Sequence, residues 1–112
     1  MRGDVAVPAD LERLVERTVA AFGGIDILVN NSGGPPPGPA ATVTEESLES
    51  AVALLLHSAI RLTTLCMPYL EASGRGRIVN TASSTVREPI DNMALSNIVR
   101  AGVAGWAKTL SH

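Results

Sequence analysis

One ten-residue stretch, Ile25-Asp26-Ile27-Leu28-Val29-Asn30-Asn31-Ser32-Gly33-Gly34, constrains the fold of this chain more than any other. Four of its first five residues are apolar and three of those are β-branched; polar and glycine residues follow at once. That is the pattern of a strand buried on both faces whose carboxyl end opens into a loop. Ligands of open α/β sheets bind outside such strand ends, so a site is expected here.

Upstream, Gly3-Asp4-Val5-Ala6-Val7 has the character of a strand end or a strand-to-helix loop, and Pro8 suits the first turn of a helix. Leu11, Leu14, Val15, Val19 and Phe22 recur at helical spacing opposite Glu12, Arg13, Glu16 and Arg17. Gly23-Gly24 then supplies a left-handed stop.

Beyond the strand, the proline-rich run from Gly33 to Pro39 excludes helix and central strand and predicts a stiff surface loop. Thr44 is a good N-cap, with Val43 and Leu48 placed to staple across it. From Glu45 to about Ala72, Leu48, Val52, Leu55, Leu56, Ala59, Leu62, Cys66 and Leu70 keep one helical stripe. The Ala51–Leu56 stretch is apolar all round, so it is expected to be covered on more than one side. Pro68 predicts a kink near Thr64.

After the turn Gly74-Arg75-Gly76-Arg77, a second strand, Ile78-Val79-Asn80-Thr81-Ala82, ends in Ser83-Ser84. A helix-length crossover between two strands predicts parallel pairing, with both carboxyl ends at one crevice. Asp91 is placed to cap a last helix, 92–110, whose Ala94, Ala101, Ala104 and Gly105 form a small-residue surface for close packing. The class expected is α/β: a partial, Rossmann-like, doubly wound parallel sheet of central strands and three helices, forming one domain over 1–112.

Composition narrows the function classes. A formal charge of −2, no Lys/Arg cluster and three aromatic residues are unlike a nucleic-acid surface. No signal-peptide pattern opens the chain, and no apolar run reaches the ~20 residues of a membrane helix. A cytoplasmic protein without membrane partners is the expectation. Cys66, alone and on the apolar stripe, has the pattern of a small core residue. With only His57 and His112 besides, no metal ligand set is expected.

Asn30-Asn31-Ser32-Gly33 resembles the Asn-Asn-Ala-Gly motif of the short-chain dehydrogenase/reductases, and Gly76-Arg77-Ile78-Val79-Asn80-Thr81-Ala82-Ser83 resembles their strand bearing the active-site serine. Asp4-Val5 matches the acidic residue and neighbour that touch adenine in that family. The nearest branch is that of the 3-oxoacyl-[acyl-carrier-protein] reductases. The resemblance implies NAD or NADP as cofactor, a small carbonyl or alcohol substrate, cofactor contacts from Asp4, Val5, Asn30, Asn31, Ser32, Gly33 and Arg100, and a homo-oligomer joined through helices 45–72 and 92–110. It also places the Gly-rich pyrophosphate turn ahead of Met1 and closing strands after His112, so this stretch is expected to be the middle of a domain.

Family members pair a proton-donating tyrosine with a lysine at i and i+4, beside a serine that hydrogen-bonds the reacting oxygen. Counting on from Ser83, these positions fall on Ser96 and Arg100, leaving Ser83, Ser96 and Arg100 as the catalytic candidates. A family asparagine of the long helix falls at or beside Leu55. An aliphatic hydroxyl is a far weaker acid than a phenol, and a guanidinium keeps a positive field but cannot relay protons. Losing a general acid typically costs about 10²–10⁴ in rate, so an impaired oxidoreductase is expected, with a nucleotide-binding pseudoenzyme and a helix-mediated assembly module as alternatives. Plainer roles stand beside these: Asn30 and Asn31 bonding the backbone, Ser96 and Arg100 on a solvated face, His57 as a packing or interface residue, Asp4 as a loop acid. Tyr69, the only tyrosine, lies on another helix.

Overall fold

The computed structural model describes residues 1–81 and 91–111. They fall into two compact units, Met1–Asn31 with Ser58–Thr81, and Ser32–His57 with 91–111.

In the first unit, helix α1 (Pro8–Phe22) has proline in its first turn and ends at Gly23, whose φ of 81° places it in the left-handed region. The Gly23 amide donates to the Val19 carbonyl at 2.8 Å. Strands β1 (Ile27–Asn30) and β2 (Arg77–Asn80) pair in parallel, Ile27 opposite Arg77 through Asn30 opposite Asn80. This is the expected α/β arrangement, with helix α3 (Ser58–Ser73) in the crossover. Leu28 packs with Val15 of α1 and with Cys66 and Leu70 of α3, while Ile78, Ile25 and Leu62 close around them. Burying each large aliphatic side chain contributes about 1.5–3 kcal/mol.

The sequence expectation of a strand covered on both faces fails for β1. Ile27 and Val29 are 65% and 56% exposed, and Val79 on β2 is 51% exposed. The reason is geometric: side chains alternate along a strand, and α1 and α3 both pack on the side of Leu28 and Ile78. Phe22, expected on the buried stripe of α1, is 83% exposed at its last turn.

In the second unit, Ala40–Thr42 forms a 3₁₀ turn and Thr44 caps α2 (Glu45–Ala51). The Thr44 hydroxyl accepts from the Ser47 amide at 3.0 Å and the Thr44 amide donates back to the Ser47 hydroxyl at 3.0 Å. Val43 and Leu48 pack against the same cluster. The next turns, Val52–His57, widen into a π-helical segment. Helix α4 (Ala94–Leu110) packs Leu95 and Val99 on Ala51 and Leu55.

A π-helical segment at Val52–His57 interrupts the long helical run, and α3 carries Pro68 within its α-helical span. Two local expectations are corrected. Asp91 does not cap α4. Asn92 takes a φ of 63°, Met93 is the N-cap, and the Ala94 amide donates to the Gly38 carbonyl at 3.1 Å, so a loop backbone does the capping. Ala101 and Gly105 are exposed, and the packed face of α4 is that of Leu95, Val99 and Val103.

By length and composition, the helical run Glu45–Ser73 is apolar enough to cross a membrane, with mean hydropathy 1.5, contrary to the sequence expectation. Its Ala51, Leu55, Ala59, Cys66 and Leu70 are buried in the protein, which is how a core helix passes the same test.

Two glycines should respond oppositely to alanine. A Cβ on Gly76 would stand 2.6 Å from the Leu70 carbonyl oxygen, whereas one on Gly105 meets nothing within 4 Å. Gly76→Ala is expected to lower unfolding free energy by about 1–3 kcal/mol and Gly105→Ala to raise it by about 0.5–1 kcal/mol, read from urea midpoints. Burial pushes the Cys66 thiol above its ordinary value. The unfolded thiol therefore ionises first, so this contribution to stability is full below about pH 8.5 and falls as pH rises above it, a loss that Cys66→Ala removes in pH-dependent melting.

Candidate functional site

Parallel pairing puts the carboxyl ends of both strands side by side, and the inward face of that end is polar. Asn30, only 8% exposed, donates through its amide nitrogen to the Thr63 hydroxyl of α3 at 3.1 Å and to the Asn80 side-chain oxygen at 2.9 Å. Its backbone carbonyl accepts from the Thr81 amide at 3.0 Å. The Asn30 Oδ1 atom is buried with no hydrogen-bond partner among the described residues. Asn30 thus ties β1, β2 and α3 together through side chains, where a bond to nearby backbone is the plain sequence expectation. Of the residues after it, Asn31 is exposed, Ser32 half-buried and Gly33 exposed.

At the start of the chain, the Asp4 carboxylate accepts from the Ala6 amide at 2.9 Å, forming a local turn ahead of α1, and the Asp4 amide donates to Asp10 at 2.8 Å. Asp4 is exposed and Val5 half-buried.

Within the second unit, α4 brings Ser96 and Arg100 together. The Arg100 Nε donates to the Ser96 hydroxyl oxygen at 3.1 Å, as the i, i+4 spacing on one helix face allows. Ser96 is 4% exposed, so it does not stand on a solvated face. Leu55 lies in the π segment and is buried against α4. His57 is exposed, so the packing role is not met within the chain. Tyr69 is on α3 and Cys66 is buried beneath the sheet. Ser83 lies outside the described residues.

The sequence profile of the short chain dehydrogenase family matches residues 1–112. The chain belongs to that family. It is 31% identical over 109 residues to an uncharacterized oxidoreductase of Thermotoga maritima, covering 97% of this chain and 43% of that protein. A putative ketoacyl reductase of monensin polyketide synthase from Streptomyces virginiae is 32% identical over 111 residues, covering 97% and 42%. Among solved structures, L-sorbose reductase of Gluconobacter frateurii, complexed with NADPH and L-sorbose, superposes with a TM-score of 0.89 at 32% identity over 96% of this chain and 41% of its own. A short-chain dehydrogenase of Streptomyces avermitilis, 24% identical with a TM-score of 0.91, shares the fold. The chain therefore spans about two fifths of the length of these relatives.

By family the cofactor of this short chain dehydrogenase is NAD or NADP. In the first unit Asp4 carries an exposed carboxylate and Asn31 an exposed amide, and in the second Ser32 carries a half-buried hydroxyl and Arg100 a guanidinium. For the pyrophosphate no described helix follows a Gly-rich turn, and α1 and α2 carry acids in their first turns, Asp10 and Glu45 with Glu46. The clasp partners Thr63 and Asn80 escaped the sequence reading. The available signals were the equal place of Asn30 and Asn80 in two paired strands and one polar position, Thr63, between Ala59 and Cys66 on an apolar stripe.

Asn30→Ala should leave the buried Thr63 hydroxyl and the half-buried Asn80 side chain without this partner and lower stability by about 1–3 kcal/mol. Thr63→Val, which removes one acceptor and keeps the shape, should cost less than Asn30→Ala by chemical denaturation.

Proposed function

We propose that this chain is part of an oxidoreductase of the 3-oxoacyl-reductase kind. It handles NAD or NADP and a small carbonyl or alcohol substrate, with proton transfer impaired. The observation that carries this reading is the bond from Arg100 Nε to the Ser96 oxygen at 3.1 Å. Ser96 and Arg100 occupy the positions of the family's proton donor and its cation. A buried serine held by a guanidinium keeps the positive field but offers no readily ionised proton. Leu55, at or beside the family's asparagine position, brings an apolar side chain.

Bound nicotinamide nucleotide would supply hydride exchange at carbon. Toward it, Asp4 with Val5 would meet adenine, Asn30, Asn31, Ser32 and Gly33 would line the strand end, and Arg100 would hold ribose hydroxyls. Ser83 is assigned the hydrogen bond to the reacting oxygen. We place the protein in the cytoplasm, where the free Cys66 stays reduced.

A second reading, a nucleotide-binding pseudoenzyme, is favoured by the same Ser96–Arg100 pair. A third is self-association through helices 45–72 and 92–110, supported by the exposed Ile98, Ala101 and Gly105 of α4.

Following NADPH oxidation with a 3-oxoacyl thioester tests the first reading. Turnover is expected about 10²–10⁴ below that of a relative with the usual Tyr and Lys, and Ser96→Tyr combined with Arg100→Lys should raise it at least tenfold. Equal turnover by the unaltered chain would overturn impairment. Titration of NADPH by its fluorescence separates the rest: binding without oxidation in either form favours the pseudoenzyme, and no binding removes both ligand-based readings. A monodisperse monomer in light scattering would remove the third.

A further inference from the structure

At the amino end of β1, opposite the Asn30 clasp, the first unit holds a cavity of about 330 Å³, a size that suits a small molecule. It lies between the closing turns of α1 and α3, and Phe22, Gly23, Gly24, Asp26, Tyr69 and Ser73 line it. Its sign is negative. Both helices end at it and neither carries a basic residue in its last turn, so the partial negative charge of each carboxyl end stands there without a cation of its own helix. Asp26 adds a carboxylate whose side chain is 51% exposed. The Arg75 Nε donates to that carboxylate at a long 3.4 Å from a side chain 78% exposed, a contact of the kind that holds little. Its walls are aromatic as well: Phe22 is 83% and Tyr69 36% exposed, each with a ring available to a visitor.

Carboxylate, helix carboxyl ends and rings together select the ligand. An anion is repelled by the first two, and an apolar molecule leaves them unanswered. A metal ion makes no use of the rings, and no group of three metal-ligating side chains occurs among the described residues. A flat organic cation answers all of them: its N–H groups bond a carboxylate in charge-assisted fashion while its face lies on a ring. We propose that this cavity binds a small amidinium or guanidinium compound, its charged end on Asp26 and its flat body against Tyr69 and Phe22. Arg75 gives up Asp26 when the compound enters. The Ser73 hydroxyl is already committed, donating to the Leu70 carbonyl at 3.1 Å and accepting from the Arg75 amide at 3.1 Å, so recognition rests on the carboxylate and the rings. Every residue of the site belongs to the first unit, so the inference stands apart from the reading of Ser96 and Arg100.

The test is to titrate the whole chain with benzamidine, and with benzamide as its uncharged counterpart of nearly the same shape, while following backbone amide shifts by NMR. Benzamidine is expected to shift the Gly23, Gly24 and Asp26 amides saturably, with a Kd on the order of 1 mM for a probe so small. Benzamide should bind at least about tenfold more weakly. Asp26→Asn keeps the backbone carbonyl that accepts from the Arg77 amide and should weaken benzamidine about tenfold. Tyr69→Leu, which removes a ring face and keeps bulk, should weaken it about threefold. Arg75→Gln frees the carboxylate and should tighten it about twofold. Should Asp26→Asn alter the circular dichroism of the chain, the benzamide comparison and Arg75→Gln decide instead. The proposal is overturned if no saturable shift appears at these amides, if benzamide binds as tightly as benzamidine, if a well-folded Asp26→Asn binds as before, or if Arg75→Gln weakens binding.

Discussion

The in-register parallel pairing of Ile27–Asn30 with Arg77–Asn80 is the constraint on which the first unit depends. Its members are about fifty residues apart in sequence, and four-residue strands offer too few hydrogen bonds to offset the entropy of closing such a loop. The compensation comes from beneath the sheet, where Leu28 and Ile78 meet Val15, Cys66 and Leu70. Cys66 belongs to this layer as packing volume. Its thiol is held protonated by the same burial that makes it useful there.

At one end of this apolar layer the chain spends its buried polarity. Asn30, Asn80 and Thr63 form a small network in which two strand ends and one helix are oriented by a single amide. Such a network narrows the ways the strands can slip, since shifting the register by one residue would send Asn30 outward and Val29 in. The bonds of α4 have another character. Arg100 and Ser96 are joined within one helix, so this bond orients the two side chains relative to each other. The first arrangement serves architecture, fixing the ends of both strands against α3.

Among the described residues the sheet has two strands and leaves Ile27, Val29 and Val79 exposed, and this couples stability to function. A two-stranded sheet covered on one side buries a small share of its apolar surface, which leaves a small margin against conformational entropy. In a doubly wound fold the ligand crevice opens at the carboxyl ends of the strands, and the same strands carry the apolar faces that hold the sheet together. Covering Ile27 and Val29 would thus bear on both the persistence of the fold and the order of the loops that follow Asn30.

Period and punctuation were enough to read α1 and its glycine stop, the N-cap at Thr44, two parallel strands and the burial of Cys66, because each rests on local pattern or on a crossover too long for a hairpin. The widened turn at Val52–His57, the capping of α4 by Gly38 and the clasp on Thr63 were not readable, because each depends on a neighbour remote in the chain or on how one helix accommodates another. The amino-acid order alone determined that β1 is apolar on both faces. Only the tertiary structure decided which face is buried, because alternation says that Leu28 and Val29 point oppositely and says nothing about the side on which α1 and α3 settle.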